Sequence, residues 1–200
     1  MILTNKPLSS FKSIWTATTE EILRSNSQQQ LPGPWQLMLL GDGSPTKHLH
    51  LITGHEVSIE LIAMNEESLI DKNAPEEINQ LPKPLLKRQV WLKCGKSTLA
   101  WAESWWNLKK AEEHLQNKDQ PIWKSLTQDR YELFREIDGL SLVTADWLES
   151  KFNQKGPFWS RYYRFFRQKK ELTIIREVFN PELEKWLGPI HKNKLLINRN

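Results

Sequence analysis

Hydrophobic and polar positions alternate with a period of two at several places along this chain. Between residues 55 and 64, Val57, Ile59, Leu61 and Ala63 fall on one side, and Glu56, Ser58, Glu60 and Ile62 on the other. That spacing predicts a strand with one buried face. Residues 46–53 read as a shorter strand leading into it around Gly54. Segments 85–93 and 99–106 predict a hairpin turning at Cys94-Gly95-Lys96-Ser97, and 158–166 and 172–179 predict another across the charged turn 167–170. Helical spacing appears at 108–117, at 122–134 with Ile122, Leu126, Arg130 and Leu133 on one face, and at 147–152. Pro181 is expected to start a last short helix, where its missing N–H costs nothing. Residues 7–30 read as a polar, helical lead-in, and 65–84, with Pro75, Pro82 and Pro84, as a long connection. Leu31-Pro32-Gly33-Pro34 punctuates the chain, and Gly41-Asp42-Gly43-Ser44-Pro45 predicts a tight turn after the apolar run 35–40. The sum is an α+β protein with an antiparallel, roughly six-stranded sheet and flanking helices.

At 200 residues the expectation is one domain: a lead-in over 1–30, a core over 35–188 and a basic tail over 189–200. Ten tryptophans point to a core or cleft of large, stiff side chains. A single cysteine, Cys94, rules out an intrachain disulfide. The N-terminus lacks the pattern of a secretory signal, and no apolar run is long enough to span a bilayer. The reading is therefore a cytoplasmic protein without a membrane partner. The net charge of +4 is spread among interleaved acids. It suits a small anionic ligand better than a nucleic acid.

Two charges fall on otherwise apolar strand faces. Glu177 shares a face with Ile175 and Phe179, and a carboxylate there must be paired or protonated. Such a site suits proton transfer near neutral pH; the plainer reading is a solvated strand end. Arg88 leads the face Arg88, Val90, Leu92 and offers a planar fork for a carboxylate; the plainer reading is a side chain reaching to water. The Gly41–Ser44 stretch lacks phosphate-loop spacing. His48, His50 and His55 lack an acidic or cysteine partner nearby. The run Phe158-Trp159-Ser160-Arg161-Tyr162-Tyr163-Arg164-Phe165-Phe166 has the composition of an RNA-stacking strand without its glycines.

Read in order, several segments resemble the chorismate lyase family, in its cyanobacterial and plastid-like branch. They are Gly41-Asp42-Gly43-Ser44-Pro45-Thr46-Lys47-His48-Leu49, Lys87-Arg88-Gln89-Val90-Trp91-Leu92 and Ser104-Trp105-Trp106. Pro121-Ile122-Trp123, Tyr131-Glu132-Leu133-Phe134-Arg135-Glu136-Ile137, Lys155-Gly156-Pro157-Phe158-Trp159 and Glu177-Val178-Phe179-Asn180-Pro181 complete the set. The resemblance implies a six-stranded sheet with helical flaps over a buried pocket. It implies cleavage of chorismate to 4-hydroxybenzoate and pyruvate without metal or organic cofactor, feeding quinone synthesis such as that of plastoquinone. It assigns Arg88 to the carboxylate of the aromatic product and Glu177 to its hydroxyl end, with backbone contacts at Pro45 and Ile122. Arg161 or Lys47 would hold the second carboxylate of chorismate. Pro45, which has no N–H, Trp123 beside the pocket and Tyr162-Tyr163 depart from the best-known bacterial enzymes. The alternatives are a non-catalytic relative that binds an aromatic carboxylate and an RNA-binding module.

Overall fold

The computed structural model describes residues 8, 11–24, 31–67, 71–118, 120–127 and 132–190. Seven strands are present: β1 (Lys12–Thr18), β2 (Val57–Glu67), β3 (Leu85–Cys94), β4 (Ser97–Asn107), β5 (Phe134–Thr144), β6 (Phe158–Arg167) and β7 (Lys170–Phe179). They form one antiparallel sheet in the order β1-β5-β6-β7-β4-β3-β2. Helices α1 (Thr19–Arg24), α2 (Gly33–Leu40), α3 (Pro45–Thr53), α4 (Leu108–His114), α5 (Ile122–Thr127), α6 (Asp146–Phe152) and α7 (Glu184–Leu187) flank it. No helix among the described residues is long and apolar enough to cross a membrane.

The two expected hairpins are β3–β4 and β6–β7. The second turns through Gln168 and Lys169, both in the left-handed region without a glycine. Five of the six expected strands are there, and the sheet has two more. The segment 46–53 is helix α3, not a strand. Pro45 presets its first turn, and Gly54, at φ 71°, closes it with an N–H donated to the carbonyl of His50. The apparent alternation of Leu49 and Leu51 is broken by the helix: Leu49 is fully buried and Leu51 is 66% exposed.

The helical lead-in is also corrected, because its residues 12–18 form strand β1; residues 1–7, 9–10 and 25–30 lie outside the described residues. β1 shows little alternation, with Trp15 its one buried member. It is held by β5, about 120 residues later in the chain, through pairs such as Thr18↔Gly139. β5 has no counterpart among the expected elements. In the sheet Gly139 sits at a bulge where a Cβ would come within 2.7 Å of the Ala17 carbonyl oxygen. The expected helix over 122–134 stops at Thr127, residues 128–131 lie outside the described residues, and Phe134 already belongs to β5. The connection 65–84 begins only after Glu67 and contains a short 3₁₀ turn, Glu76–Gln80.

The sheet has two differently covered faces. On the front, Val90, Leu92, Ala100 and Phe179 pack beneath α2, α3 and α7 through Trp35, Leu39, Leu49 and Leu187. A second front cluster, with Trp106, Phe165 and Ile175, packs beneath α4 and α5 through Ala111 and Leu126. On the rear, Trp91, Trp101 and Val178 pack against Leu148 and Phe152 of α6. The indole N–H of Trp35 donates to the Gly188 carbonyl at 2.8 Å and ties α2 to the end of the described chain.

Candidate functional site

Strand pairing brings distant residues onto one front-face row. Arg88 pairs with Ser104 and Ser104 with Ile175; Val90 pairs with Ala102 and Ala102 with Glu177; Glu177 pairs with Arg161. Side chains on one face repeat every second residue, so Arg88, Glu177 and Arg161 all point toward the front helices. There, a cavity of about 40 Å³ lies between the two front clusters. Arg88 and Glu177 line it from β3 and β7, Pro45 from the start of α3 and Ile122 from the start of α5. Trp123, Tyr163 and Phe165 supply aromatic walls, and Val90, Leu92 and Ala102 the floor. At roughly 10–15 Å³ per water, the space holds a few waters. An aromatic ligand therefore requires the lining to part.

Glu177 is 3% exposed, and each of its carboxyl oxygens accepts from one protein donor. Arg161 Nε donates to Oε2 at 2.8 Å and the Tyr163 hydroxyl donates to Oε1 at 2.8 Å. The buried carboxyl is thus paired. Each oxygen keeps a further lone pair for a ligand hydroxyl. Burial pushes the Tyr163 phenol well above its ordinary range, with the neighbouring Glu177 charge adding to the effect, so Tyr163 stays a donor.

Arg161 does not line the cavity. It is fully buried behind Glu177, and its Nη1 donates to the carbonyls of Met38 and Gly41 at 2.7 and 3.1 Å. Lys47 is exposed on the outer side of α3 and is also absent from the lining. Neither residue expected for a second carboxylate faces the cavity. Arg88 is 2% exposed, and its Nη2 donates to the carbonyls of Lys118 and Gln120, just before α5.

The cavity also contains Arg135, at the start of β5, which sequence reading passed over. It is 8% exposed, and its Nη1 donates to the carbonyls of Asp42 at 2.7 Å and of Gly43. Its guanidinium stacks on Phe165, Tyr163 and Trp123, with ring centroids 4.6, 4.7 and 5.3 Å away. Burial holds its pKa below the ordinary arginine value. The Gly43 backbone is crowded by a histidine: a Cβ there would sit 2.3 Å from Nε2 of His48. Burial lowers the His48 pKa, and the charges of Arg161 and Arg135 lower it further. No group of three potential metal ligands stands together among the described residues.

A family model described as chorismate pyruvate-lyase, Rv2949c-like, matches residues 39–187. Relatives include the ycf21 protein of Porphyra purpurea, 33% identical over 186 residues, spanning 88% of this chain and 97% of that one. The ycf21 protein of Cyanophora paradoxa is 30% identical over 172 residues, spanning 86% and 89%. Among solved structures, the effector domain of PhnF from Mycobacterium smegmatis shares the fold, with a TM-score of 0.55 over 72% of this chain and 92% of that one, at 11% identity. The matched region contains every residue of the cavity described above, and the chain belongs to the Rv2949c-like chorismate pyruvate-lyase family.

Proposed function

We propose that the protein converts chorismate to 4-hydroxybenzoate and pyruvate. The observation that carries this reading is the pairing of an arginine and a carboxylate, Arg88 and Glu177, on the walls of one buried, largely apolar cavity. A flat ring with a carboxylate at one end and a hydroxyl at the other matches that polarity. Arg88 binds the ring carboxylate, and the free lone pairs of Glu177 accept the hydroxyl at the opposite end.

The reaction removes a proton from the ring carbon that bears the hydroxyl and breaks the neighbouring ether C–O bond. Enolpyruvate leaves and ketonises to pyruvate while the ring becomes aromatic. Much of the driving force lies in that aromatisation. The protein's part is to hold the ring in one orientation, exclude water and accept the proton. Glu177 is the acceptor nearest the hydroxyl end in this pose. Arg161 and Tyr163 fix its two oxygens, so it acts without reorienting. The product would enter quinone synthesis.

The test is direct. Purified protein incubated with chorismate should release 4-hydroxybenzoate and pyruvate in equal amounts, followed by absorbance and a coupled pyruvate assay. Tight binding of 4-hydroxybenzoate with no turnover of chorismate would instead establish a binding protein for aromatic carboxylates. The protein donors already on both Glu177 oxygens are the observation that favours that second reading.

A further inference from the structure

Chorismate carries two carboxylates, and the pose above uses one. The cations expected to take the other are engaged elsewhere: Arg161 on Glu177, and Lys47 outside the cavity on the exposed side of α3. Arg135 is differently situated. The other buried or half-buried arginines with acid partners are Arg161 with Glu177, Arg164 with Asp138 and Glu171, and Arg176 with Glu103. Arg135 makes no ion pair among the described residues. Its two hydrogen bonds, both from Nη1, go to backbone carbonyls. Its Nε is buried with no hydrogen-bond partner, and its Nη2 donates to nothing among the described residues. Nε and Nη2 form the side edge of the guanidinium, one of the two edges that grip a carboxylate with parallel bonds. A guanidinium removed from water without an acid carries a desolvation cost that two carbonyls and three rings offset only in part. That cost is recovered when an anion arrives.

We propose that Arg135 is the anchor for the second, side-chain carboxylate of a dianionic substrate, and that it sets the preference of the site for dianions over monoanions. This rests on the chorismate reading above and adds the feature that separates substrate from product. The product keeps only the ring carboxylate and leaves Arg135 unmatched. Arg135 also holds the Asp42–Gly43 backbone directly ahead of Ser44, Pro45 and Thr46, which line the cavity. A carboxylate on Arg135 would therefore sit beside a segment that lines the cavity.

The experiment compares two non-reacting ligands by calorimetry: 3-(1-carboxyvinyloxy)benzoate, an aromatic dianion with the same side chain, and 4-hydroxybenzoate, a monoanion. Wild type, Arg135→Gln and Arg135→Lys are measured, with chorismate kinetics alongside. The dianion should lose about 10- to 100-fold in affinity in Arg135→Gln, the size of a lost charge-assisted hydrogen-bonded contact, while 4-hydroxybenzoate changes by about threefold or less. Arg135→Lys should restore part of the dianion's loss. KM for chorismate should rise in step with the dianion's dissociation constant. Equal weakening of both ligands, or of neither, overturns the proposal, since a merely structural Arg135 cannot tell them apart. Wild type that discriminates between the ligands yet leaves chorismate intact would overturn the enzymatic reading alone. If Arg135→Gln does not fold, Arg135→Lys decides: an unchanged ratio of the two affinities overturns the proposal.

Discussion

Both faces of the sheet bury charge, and they do so in opposite ways. On the rear, Glu103 is 2% exposed, accepts from Arg176 Nε at 2.7 Å and from Gln89 at 3.3 Å, and forms an ion pair with Lys87 at 3.4 Å. Gln89 in turn bonds both the N–H and the carbonyl of Leu8, and Arg176 bonds the Asn73 carbonyl and stacks on Phe11. Every partner there is protein, and the network closes on itself and binds the chain's outlying segments to the sheet. On the front, the same residue types surround a cavity, and Arg135 Nε is buried without a hydrogen-bond partner among the described residues. A satisfied buried network adds rigidity.

Paired substitutions on the two faces separate a role in turnover from a role in stability. Glu177→Gln is expected to lower chorismate turnover by about two to four orders of magnitude, the usual scale of an acid–base group. It also strips Arg161 of its buried carboxylate, so turnover must be referred to folded protein measured by circular dichroism. Near-normal turnover would remove Glu177 from the chemistry. Its rear counterpart, Glu103→Gln, should cost about 3–5 kcal/mol of stability in a denaturant titration, as for any broken buried pair, with kcat unchanged. A loss of kcat without a loss of stability would show that the rear face takes part in the reaction.

A smaller effect is expected for binding. Arg88→Ala should weaken 4-hydroxybenzoate by about 2–5 kcal/mol in calorimetry, because a carboxylate drawn into the cavity loses its charged partner. Arg88→Lys should recover only part of it, since a point charge cannot reproduce two parallel bonds. Unchanged affinity in Arg88→Ala would mean that the ring carboxylate sits elsewhere in the cavity.

The smallest effect is on pH dependence. His48 is held below its ordinary value of 6.5 by burial and by two arginine charges, so the unfolded chain takes up this proton more readily than the folded one. Its contribution is fully present above about 6.5 and is lost as pH falls from there through the folded value. In His48→Gln, that part of the fall in melting temperature between neutral and mildly acidic pH should disappear. An identical pH profile in the variant would mean that other groups carry it.

How much of this was legible in the sequence depends on how local each feature is. The β3–β4 and β6–β7 hairpins were, because period-two alternation and a short turn between neighbouring strands are local signals. Arg88 and Glu177 stood out for the same reason: each is a charge on a strand face whose other members are apolar. The strand reading of 46–53 failed because Leu49 and Leu51 imitate alternation. The helix signals, Pro45 at its first turn and Gly54 after its last, were present and outweighed it. β1 and β5 were not legible: neither has a clean pattern of its own, and β1 exists through pairing with a partner about 120 residues away.

The sequence by itself determined the family, the two central hairpins and the two inward charges. Only the tertiary structure decided which cations are spent and which are available. Arg161, Lys47 and Arg135 are all cations in the sequence. Burial against Glu177 occupies the first, exposure on α3 removes the second, and the third lines the cavity with its Nε unpartnered among the described residues. Whether a charge is already neutralised depends on its neighbours in space. Those neighbours are brought by strand pairing and by segments packed from far along the chain, as the Asp42 and Gly43 carbonyls are brought to Arg135, which no local pattern records.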